Sequence, residues 1–292
     1  MENVINKTTT TDLCDLHTHS VYSDGTFTPE ELVIDAKSAN LKAIALTDHN
    51  TTDGIEEFVK AGKKYGVECI PGVEISSAYK GKELHIVALF FGKADYRAID
   101  DFLADQRKRK EESNKLLAER LNKSGYKVNY DEIKKKTSGS VNRVHFAKEL
   151  IKNGCIKTVK EGFDTILSEK YGIYVPSKKA SSFDVIKIIK SACGVSVLAH
   201  PLLSLGKEEL PSFLTEAKTY GLDAIETRYS KYSESDREFS DGIAKKFGLL
   251  KSGGSDFHGD NKPGINLGSG CGDLVVPYDF VKKFMTLKNN EF

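Results

Sequence analysis

The sequence predicts an α/β fold, a barrel of strands and helices that is interrupted by a helical insertion. Short apolar runs alternate with helical patterns at the beginning and at the end of the 292 residues. Between about residues 95 and 182 this alternation stops and only helical patterns occur. All histidines except His145 lie within or at the end of an apolar run. We therefore expect barrel segments at 11–94 and 183–292 and a helical insertion at 95–182.

Seven apolar runs predict the strands of the barrel. Each is short and largely apolar, as in strands that are buried on both faces. The runs cover residues 13–16, 42–49, 67–76, 83–91, 196–200, 222–229 and 249–258. Residues 1–10, which precede the first run, are polar and are expected to fray.

Helical patterns follow the strands. Thr28 can cap a helix that has Pro29 at its first position, and Glu31 completes a capping box, so a helix is predicted from there to about Asn40. Further barrel helices are predicted over about 53–66, 181–193, 208–220, 235–247 and 277–287.

The insertion begins with one long helical pattern from Asp95 to Gly125. Its apolar residues lie near both ends and its middle, 106–114, is nearly all charged, which predicts a helix that leaves the barrel and enters a second small core. Shorter helices are predicted over 131–136, 144–152 and 159–170.

Charge also separates the insertion from the barrel. Residues 95–182 carry 20 Lys+Arg and 13 Asp+Glu, a net +7, whereas the remainder carries −6 and the whole chain +1. One interpretation is a basic cap over an acidic mouth, which would attract an anion. The alternative is a solvated helical surface, and we assign the run Lys134–Lys136 to that alternative.

Polar side chains along the strands predict a metal site. His17 and His19 are two residues apart, so on extended backbone both imidazoles leave the same face. In a barrel of parallel strands the carboxyl ends converge on one mouth, where the other histidines and the acids Asp24 and Glu74 can meet this pair. Imidazoles mixed with carboxylates suit Zn²⁺, Mn²⁺ or Fe²⁺ better than Ca²⁺ or Mg²⁺ alone. Taken singly, each of these residues is more typical of a surface acid or a core histidine.

These residues resemble the polymerase and histidinol phosphatase (PHP) family. The similar motifs follow the family's order along the chain: His17-x-His19, Asp24-Gly25, Thr47-Asp48-His49, Gly72-Val73-Glu74, His85, Ala199-His200-Pro201 and Ser255-Asp256-x-His258. The resemblance implies a distorted (β/α)7 barrel, the PHP barrel, that holds two or three divalent metal ions.

The resemblance also implies a role for each ligand. The first metal would take His17, His19, Glu74 and Asp256, the second Glu74, His85 and His200, and the third Asp24, His49 and His258. Glu74 would then bridge two metals, and Asp48 would form a hydrogen bond behind the site. Asn50 stands where family members often have an acid, which is expected to change a contact behind the site and not a ligand.

Such a cluster suits the hydrolysis of a phosphate ester by an acidified water, with Glu74, Asp256 and His200 as the catalytic residues. Neither a Ser or Cys nucleophile nor a Gly-rich phosphate loop is needed, and the sequence contains no Gly-x-x-x-x-Gly-Lys.

The insertion resembles the branch of nucleoside 3′,5′-bisphosphate phosphatases and 5′-3′ exoribonucleases. The segment Asn142-Arg143-Val144-His145 is similar to the branch's Gly-Arg-Pro-His segment, which contacts the substrate phosphate, although Asn142 and Val144 depart from it. Arg143 and His145 are therefore expected to bind substrate; the alternative is a solvated arginine and a histidine packed on its helix. Arg228, with Glu226 and Tyr229, is expected either to contact substrate or only to support the rim.

The resulting hypothesis is a metal-dependent phosphatase that removes the 3′-phosphate of nucleoside 3′,5′-bisphosphates. The alternatives are a 5′-3′ exoribonuclease on short RNA, a phosphatase of another small phosphomonoester and, least favoured, a non-catalytic metal-binding module. The expected partner is a nucleotide or a short RNA, and the sequence indicates no protein partner. The absence of a long apolar run and of Cys-x-x-Cys pairs among five cysteines favours a cytoplasmic protein without membrane contact.

Overall fold

A computed structural model describes residues 12–92, 94–137 and 140–290, so the predicted fraying of residues 1–10 lies outside the described residues. The strands are β1 Leu13–Thr18, β2 Leu41–Leu46, β3 Glu68–Tyr79, β4 Lys82–Leu89, β5 Ala180–Ser181, β6 Val195–Leu198, β7 Ala224–Tyr229 and β8 Leu250–Gly254. The helices are α1 Pro29–Ser38, α2 Ile55–Tyr65, α3 Asp100–Lys123, α4 Tyr130–Lys135, α5 Arg143–Lys152, α6 Val159–Asp164, α7 Ser182–Ser191, α8 Pro201–Ser204, α9 Leu210–Thr219, α10 Glu234–Phe247 and α11 Asp279–Asn290.

The strands form one nearly closed sheet in the order β1-β2-β3-β4-β6-β7-β8, and the two-residue β5 pairs with β3 beside this path. The residues after β8 complete the closure, because the Asp256 amide donates to the His17 carbonyl at 2.8 Å and the His19 amide to the Phe257 carbonyl at 2.9 Å. The predicted α/β barrel and its seven strands are confirmed. Only β5 was not predicted, since two residues are too short to give an apolar pattern.

The expectation that all barrel strands run parallel is wrong for β4, which is antiparallel to both β3 and β6. The cause is a two-residue turn, in which Lys80 and Gly81 both have positive φ, 48° and 78°, as tight hairpins require. β4 therefore runs back along β3, with His85 opposite Ser76 in mid-strand.

Apolar packing covers the ends of the strands away from the histidines. Phe280, Val281 and Phe284 of α11 pack on Cys14, Ala43 and other inward side chains. A bridge between Leu13 and Pro277 ties this region to the beginning of β1. Since α11 fills that end of the barrel, the mouth at the other end is left for polar side chains.

The barrel helices lie near their predicted positions. Thr28 and Glu31 form the predicted capping box of α1. Asp53 does not cap α2, whose N-cap residue is Gly54. The short helix α8, which follows directly on His200, was not predicted.

Helices α3 to α6 enclose a core of their own, which includes Leu117, Leu121, Phe146 and Leu150. The long predicted pattern starts with a 3₁₀ turn over Tyr96–Ile99, and α6 ends six residues earlier than the predicted range 159–170. The division of the chain at 94/95 and 182/183 stays a prediction.

Hydrogen bonds join this helical segment to the loops at the barrel mouth. The Ser140 amide donates to the Ser23 carbonyl at 3.1 Å, Arg107 Nη1 to the Asn50 carbonyl at 2.7 Å, and Asn142 Nδ2 to Asp24 Oδ2 at 3.4 Å. The helical segment therefore lies over the same end of the barrel as the histidines.

All five cysteines are unpaired thiols, as expected. Within the described ranges, none of the helices combines the length and the apolar character that a bilayer crossing requires.

Gly254 permits the close approach of β8 to β1. A Cβ atom there would lie 2.4 Å from both the amide nitrogen and the Cβ of His17. Gly254→Ala is therefore expected to lower the free energy of unfolding by about 1–3 kcal/mol, as overpacked cores do, measured as a lower midpoint in urea. Gly242→Ala is the matched control, because no atom lies within 4 Å of that position in α10 and alanine should stabilise a helix interior by about 0.5–1 kcal/mol. Equal midpoints for the two variants would contradict this account of the barrel closure.

Candidate metal centre

The structure brings the nine predicted side chains to one place at the barrel mouth. They form four overlapping groups, in each of which the candidate ligand atoms all lie within 4.8 Å of one another. The groups are His19 with Asp24, His49 and His258; His17 with His19 and Asp256; His17 with Glu74 and His200; and His49 with Glu74 and His85.

Glu74 stands between these groups, and its side chain is excluded from solvent. One carboxylate oxygen, Oε1, lies 2.8 Å from His85 Nδ1 and 2.9 Å from His200 Nε2. The other, Oε2, faces imidazoles of the first and third predicted sets at 3.0 Å (His49), 3.3 Å (His17) and 3.4 Å (His19). A carboxylate with one oxygen toward each side has the geometry of a bridging ligand.

Many polar atoms in this cluster have no hydrogen-bond partner. Of the eleven buried side-chain N and O atoms without one in the described parts of the chain, seven belong to the cluster. They are His17 Nε2, both ring nitrogens of His19, Asp24 Oδ1, His49 Nδ1, Glu74 Oε2 and His200 Nδ1. Buried polar atoms without partners are costly, and bound divalent cations would satisfy this donor set. The residues therefore fit a metal centre.

The carboxylates act strongly on the nearby imidazoles. Burial disfavours the charged form of His17, but Glu74, Glu226 and Asp256 outweigh it and raise the pKa of His17 well above its usual value. Against the same burial penalty, Glu74 and Glu83 raise the pKa of His85 to about 10. Burial and the neighbouring His258 and His49 instead hold the pKa of His19 well below its usual value.

Metal loading should therefore release protons. Because the pKa values of His17 and His85 are raised, we expect both imidazoles to carry protons at pH 7 in the metal-free protein. Both must lose these protons to coordinate, so about two protons should leave on binding. Apparent affinity should rise with pH until the pKa of about 10 at His85 is passed. Titration with Mn²⁺ in the presence of a pH indicator measures the release, and His85→Gln should reduce it by about one proton. Affinity that is constant from pH 6 to 9 would contradict this assignment.

Glu226 contacts two histidines of the cluster. The sequence had left its role open between a substrate contact and a support of the rim. Its Oε1 lies 2.8 Å from His17 Nδ1, and its Oε2 accepts a hydrogen bond from the His200 amide at 2.6 Å. The carboxylate thus directs His17 Nε2 toward Glu74 and fixes the backbone at His200. An acid within the apolar segment Ala224–Glu226 was the only sequence signal for this role.

The other acids are also held from behind. Asp256 Oδ2 accepts hydrogen bonds from Tyr229 at 3.0 Å and from Lys262 at 2.7 Å, which leaves Oδ1 at 3.3 Å from His19 Nε2. No sequence signal pointed to Lys262.

Asp48 forms the predicted hydrogen bonds behind the site, because it accepts from the amide and hydroxyl of Ser20 and from Ser23. Asn50 is not near the ligand atoms either; its Oδ1 accepts from the Ser76 amide at 3.0 Å. These contacts hold the loops that carry Asp24 and His49.

The structure does not place Arg228 among the side chains of the metal centre, and a contact of Arg228 with substrate stays a prediction. Its guanidinium pairs with both carboxylate oxygens of Asp241 on α10, at 3.0 and 2.9 Å. A register irregularity of β7 between Glu226 and Arg228 is the physical reason. Residues two positions apart on a regular strand share a face of the sheet. The irregularity instead turns Arg228 away from the face of Glu226.

Because Glu226 orients His17 without being a candidate ligand, Glu226→Gln should weaken metal binding by about 10- to 100-fold. Competition with a chromogenic chelator measures this loss. Asp241→Asn is the control, since it removes a carboxylate paired with Arg228 outside the barrel and should leave metal affinity unchanged. Unchanged affinity in Glu226→Gln would mean that the hydrogen bond does not orient the imidazole.

Comparison with known proteins identifies the family. The family model described as the PHP domain matches residues 15–174. The chain belongs to the PHP family. The resemblance seen in the sequence is thereby confirmed, and the protein is a metal-dependent phosphoric ester hydrolase.

Relatives of known description span most of this PHP chain. It is 35% identical over 87% of its length to the 5′-3′ exoribonuclease Rnm of Salmonella typhimurium, of which 87% is covered. It is 31% identical over 87% of its length to the 3′,5′-nucleoside bisphosphate phosphatase of Chromobacterium violaceum, of which 90% is covered. A crystal structure from Bifidobacterium adolescentis, provisionally assigned as a metal-dependent phosphoesterase, superposes with a TM-score of 0.79 at 29% identity, covering 94% of this chain and 96% of that one.

Proposed function

We propose that this PHP enzyme hydrolyses the 3′-phosphate of nucleoside 3′,5′-bisphosphates and leaves nucleoside 5′-monophosphates. The proposal assigns the nine clustered side chains to two or three divalent ions, Mn²⁺, Zn²⁺ or Fe²⁺. The mixed imidazole and carboxylate donors support these metals, and Asp24, an oxygen ligand, makes its end of the cluster favourable to Mn²⁺ or Fe²⁺. The bisphosphate phosphatase among the relatives supports the substrate class.

Bound cations would acidify a water nucleophile and neutralise phosphoryl oxygens as charge moves to the leaving oxygen. Glu74, Asp256 and His200 are the catalytic residues of the proposal because they hold the centre from three strand regions. In the net reaction the water oxygen joins phosphorus, the bond from phosphorus to O3′ breaks, and O3′ takes a proton. Inorganic phosphate and a nucleoside 5′-monophosphate are the products.

The observation that carries the proposal is a basic cavity of 260 Å³ between the barrel and the helical segment, which we name the phosphate pocket. Its barrel side includes Asn50 and Glu83, the neighbours of His49 and His85. Its basic lining residues are Lys110, Arg143 and Lys179. A substrate with a second phosphate needs a cationic receptor separate from the metals, and this pocket supplies one.

Arg143 is held in a fixed orientation within the phosphate pocket. Its guanidinium carbon lies 4.8 Å from the ring centre of Phe163 and 4.4 Å from that of Tyr174. One of its nitrogens donates to the Leu167 carbonyl at 3.3 Å. A planar guanidinium held between two rings loses little conformational freedom when its remaining N–H groups bind a phosphate.

Lys110 adds a second cation that the sequence had not singled out. Burial lowers the pKa of its ammonium group, against the attraction of Asp24 and Glu83. In residues 12–92, 94–137 and 140–290 no hydrogen bond or ion pair to this ammonium is found. Lys179, in contrast, pairs with Glu83 at 3.2 Å. A partly buried ammonium without such a partner is suited to an anionic ligand.

His145 does not line the phosphate pocket with Arg143. Its Nδ1 accepts a hydrogen bond from the Asn142 amide at 3.1 Å, and its ring lines a different cavity beside Asp24. Two residues that are two positions apart on a helix point in different directions, which explains the separation. We retain His145 as a candidate substrate contact on the Asp24 side.

The conformation of Asn142 explains why this chain does not need the glycine that begins the similar Gly-Arg-Pro-His segment. Asn142 has an extended backbone, with φ of −130°, and its side-chain oxygen accepts from the Val144 amide at 3.0 Å, so it caps α5. Glycine is not required for this conformation, and the cap also reaches Asp24. The start of α5 is therefore held against the metal centre.

Loss of the pocket cations should affect the bisphosphate substrate selectively. A bidentate contact of arginine to phosphate is worth about 1.5–3 kcal/mol, so Arg143→Ala should lower kcat/KM for adenosine 3′,5′-bisphosphate by about 10- to 100-fold. Lys110→Met should lower it by about 10-fold. Turnover of nitrophenyl phosphate, which lacks a second phosphate, should be retained in both variants.

The matched control for Lys110→Met is Lys108→Met. Lys108 is exposed, lies on α3 as Lys110 does, and does not line the phosphate pocket. The control variant should leave both substrates unaffected. If bisphosphate and nitrophenyl phosphate turnover fall equally in Lys110→Met, the pocket does not select the second phosphate, and the substrate proposal fails.

A 5′-3′ exoribonuclease is the second candidate, and it is supported by three relatives of that description. Cleavage of the bond from phosphorus to O3′ also releases a nucleoside 5′-monophosphate when the phosphate carries another nucleotide. The two activities then differ only in whether the site has room for that nucleotide.

A further inference from the structure

We propose that a lysine-lined groove leading away from Asp24 binds the strand that continues beyond the reacting phosphate of a short RNA substrate. This inference rests on the proposed function, and it assigns the residues that would hold the longer substrate of the second candidate activity. The groove is the cavity of 570 Å³ whose lining includes Ser23 and Asp24 of the barrel and Lys136, Lys148 and Lys152 of the helical segment. We name it the strand groove.

The strand groove and the phosphate pocket adjoin different ends of the cluster. The phosphate pocket adjoins Asn50 and Glu83, whereas the strand groove adjoins Asp24 and Asn261. Asn142 stands between the two, because it lines the phosphate pocket and donates to Asp24. A substrate with its 5′-phosphate in the pocket therefore has its reacting phosphate at the metals and the groove beyond.

The helix α5 leads from the metal centre along the groove. His145, Lys148 and Lys152 are spaced at i, i+3 and i+7, so they share one face of the helix. The first turn lies against Asp24, and the helix extends about 15 Å from there. The two lysines therefore lie at increasing distance from the reacting phosphate, as contacts to successive phosphates of one strand require.

The lysines of the groove are available to an anion. In the described part of the chain no hydrogen bond or ion pair is found for Lys148. Lys152 lies 3.4 Å from Glu149, and Lys136 lies 3.9 Å from Glu132. Both lysine side chains are more than half exposed, and such surface pairs contribute little. An RNA backbone carries one negative charge per nucleotide, which complements this row.

The difference in size between the two cavities determines the direction of the strand. The smaller phosphate pocket receives the terminal 5′-phosphate, and the larger groove receives the rest of the chain. In the diester, the water oxygen joins phosphorus, the bond to O3′ breaks, and O3′ takes a proton. The first nucleotide leaves as a 5′-monophosphate, while the strand in the groove keeps the phosphate as its new 5′-terminus. That product is itself a substrate for the next cycle.

The test compares substrates of increasing length on the Mn²⁺-loaded enzyme. Wild-type kcat/KM should rise from adenosine 3′,5′-bisphosphate to a 5′-phosphorylated pentaribonucleotide. The triple variant Lys136→Gln, Lys148→Gln, Lys152→Gln should retain bisphosphate turnover and lose about tenfold or more on the pentanucleotide. The slope of log kcat/KM against log salt for the pentanucleotide should become shallower by about 2, or about 0.7 for each lysine.

The matched control removes the same charge elsewhere on the helical segment. Lys123, Lys127 and Lys157 are exposed and do not line the strand groove, so their triple change to Gln should leave the salt slope unchanged. Equal loss in both triple variants, or full pentanucleotide turnover in the groove variant, would overturn the inference. So would a wild-type enzyme that hydrolyses the bisphosphate but no oligonucleotide. Failure of the proposed function is distinct, since it shows as a wild-type enzyme without bisphosphate turnover.

Discussion

The burial of the Glu74 carboxylate is the constraint on which the rest of the barrel mouth depends. A carboxylate without solvent contact is stable only when positive charge or donors surround it. Here the surroundings are imidazoles from β1, β4 and the ends of β2 and β6. Because these strands lie apart in sequence, the carboxylate can be satisfied only when the barrel has closed.

Several local features follow from this requirement. The β3–β4 hairpin carries His85 back beside Glu74, and the glycine at position 254 lets the last strand lie against His17. Glu226 and Lys262 then hold His17 and Asp256 from behind, so that their free atoms face the centre. His17 Nε2 and six other atoms of the cluster remain without hydrogen-bond partners in the described residues. The packing of the barrel mouth therefore positions a set of metal-binding atoms that only cations can satisfy fully.

The helical segment divides the space beside the metal centre into two cavities. The N-terminal end of α5 is held on Asp24 through Asn142, and the two sides of this helix serve different cavities. Arg143 lies on one side, within a small basic pocket, while Lys148 and Lys152 lie on the other, along an open groove. One helix thus separates the proposed site of a terminal phosphate from the proposed path of a strand. This arrangement would relate the two proposed activities, phosphatase and exoribonuclease, through a single reacting position.

The sequence alone determined the seven barrel strands, the capping box of α1, the family and the nine clustered residues, because these depend on local patterns and motifs. The tertiary structure alone decided the direction of β4, the role of Glu226 and the position of Arg228. A two-residue turn reverses the strand, and an irregularity in β7 reverses a side chain, without changing the apolar pattern that predicts a strand. Lys110 and Lys262 could not be distinguished from other surface lysines, since their significance arises from groups distant in the chain. Patterns along a sequence report which residues are buried together with their neighbours, whereas contacts between distant segments depend on how the barrel closes.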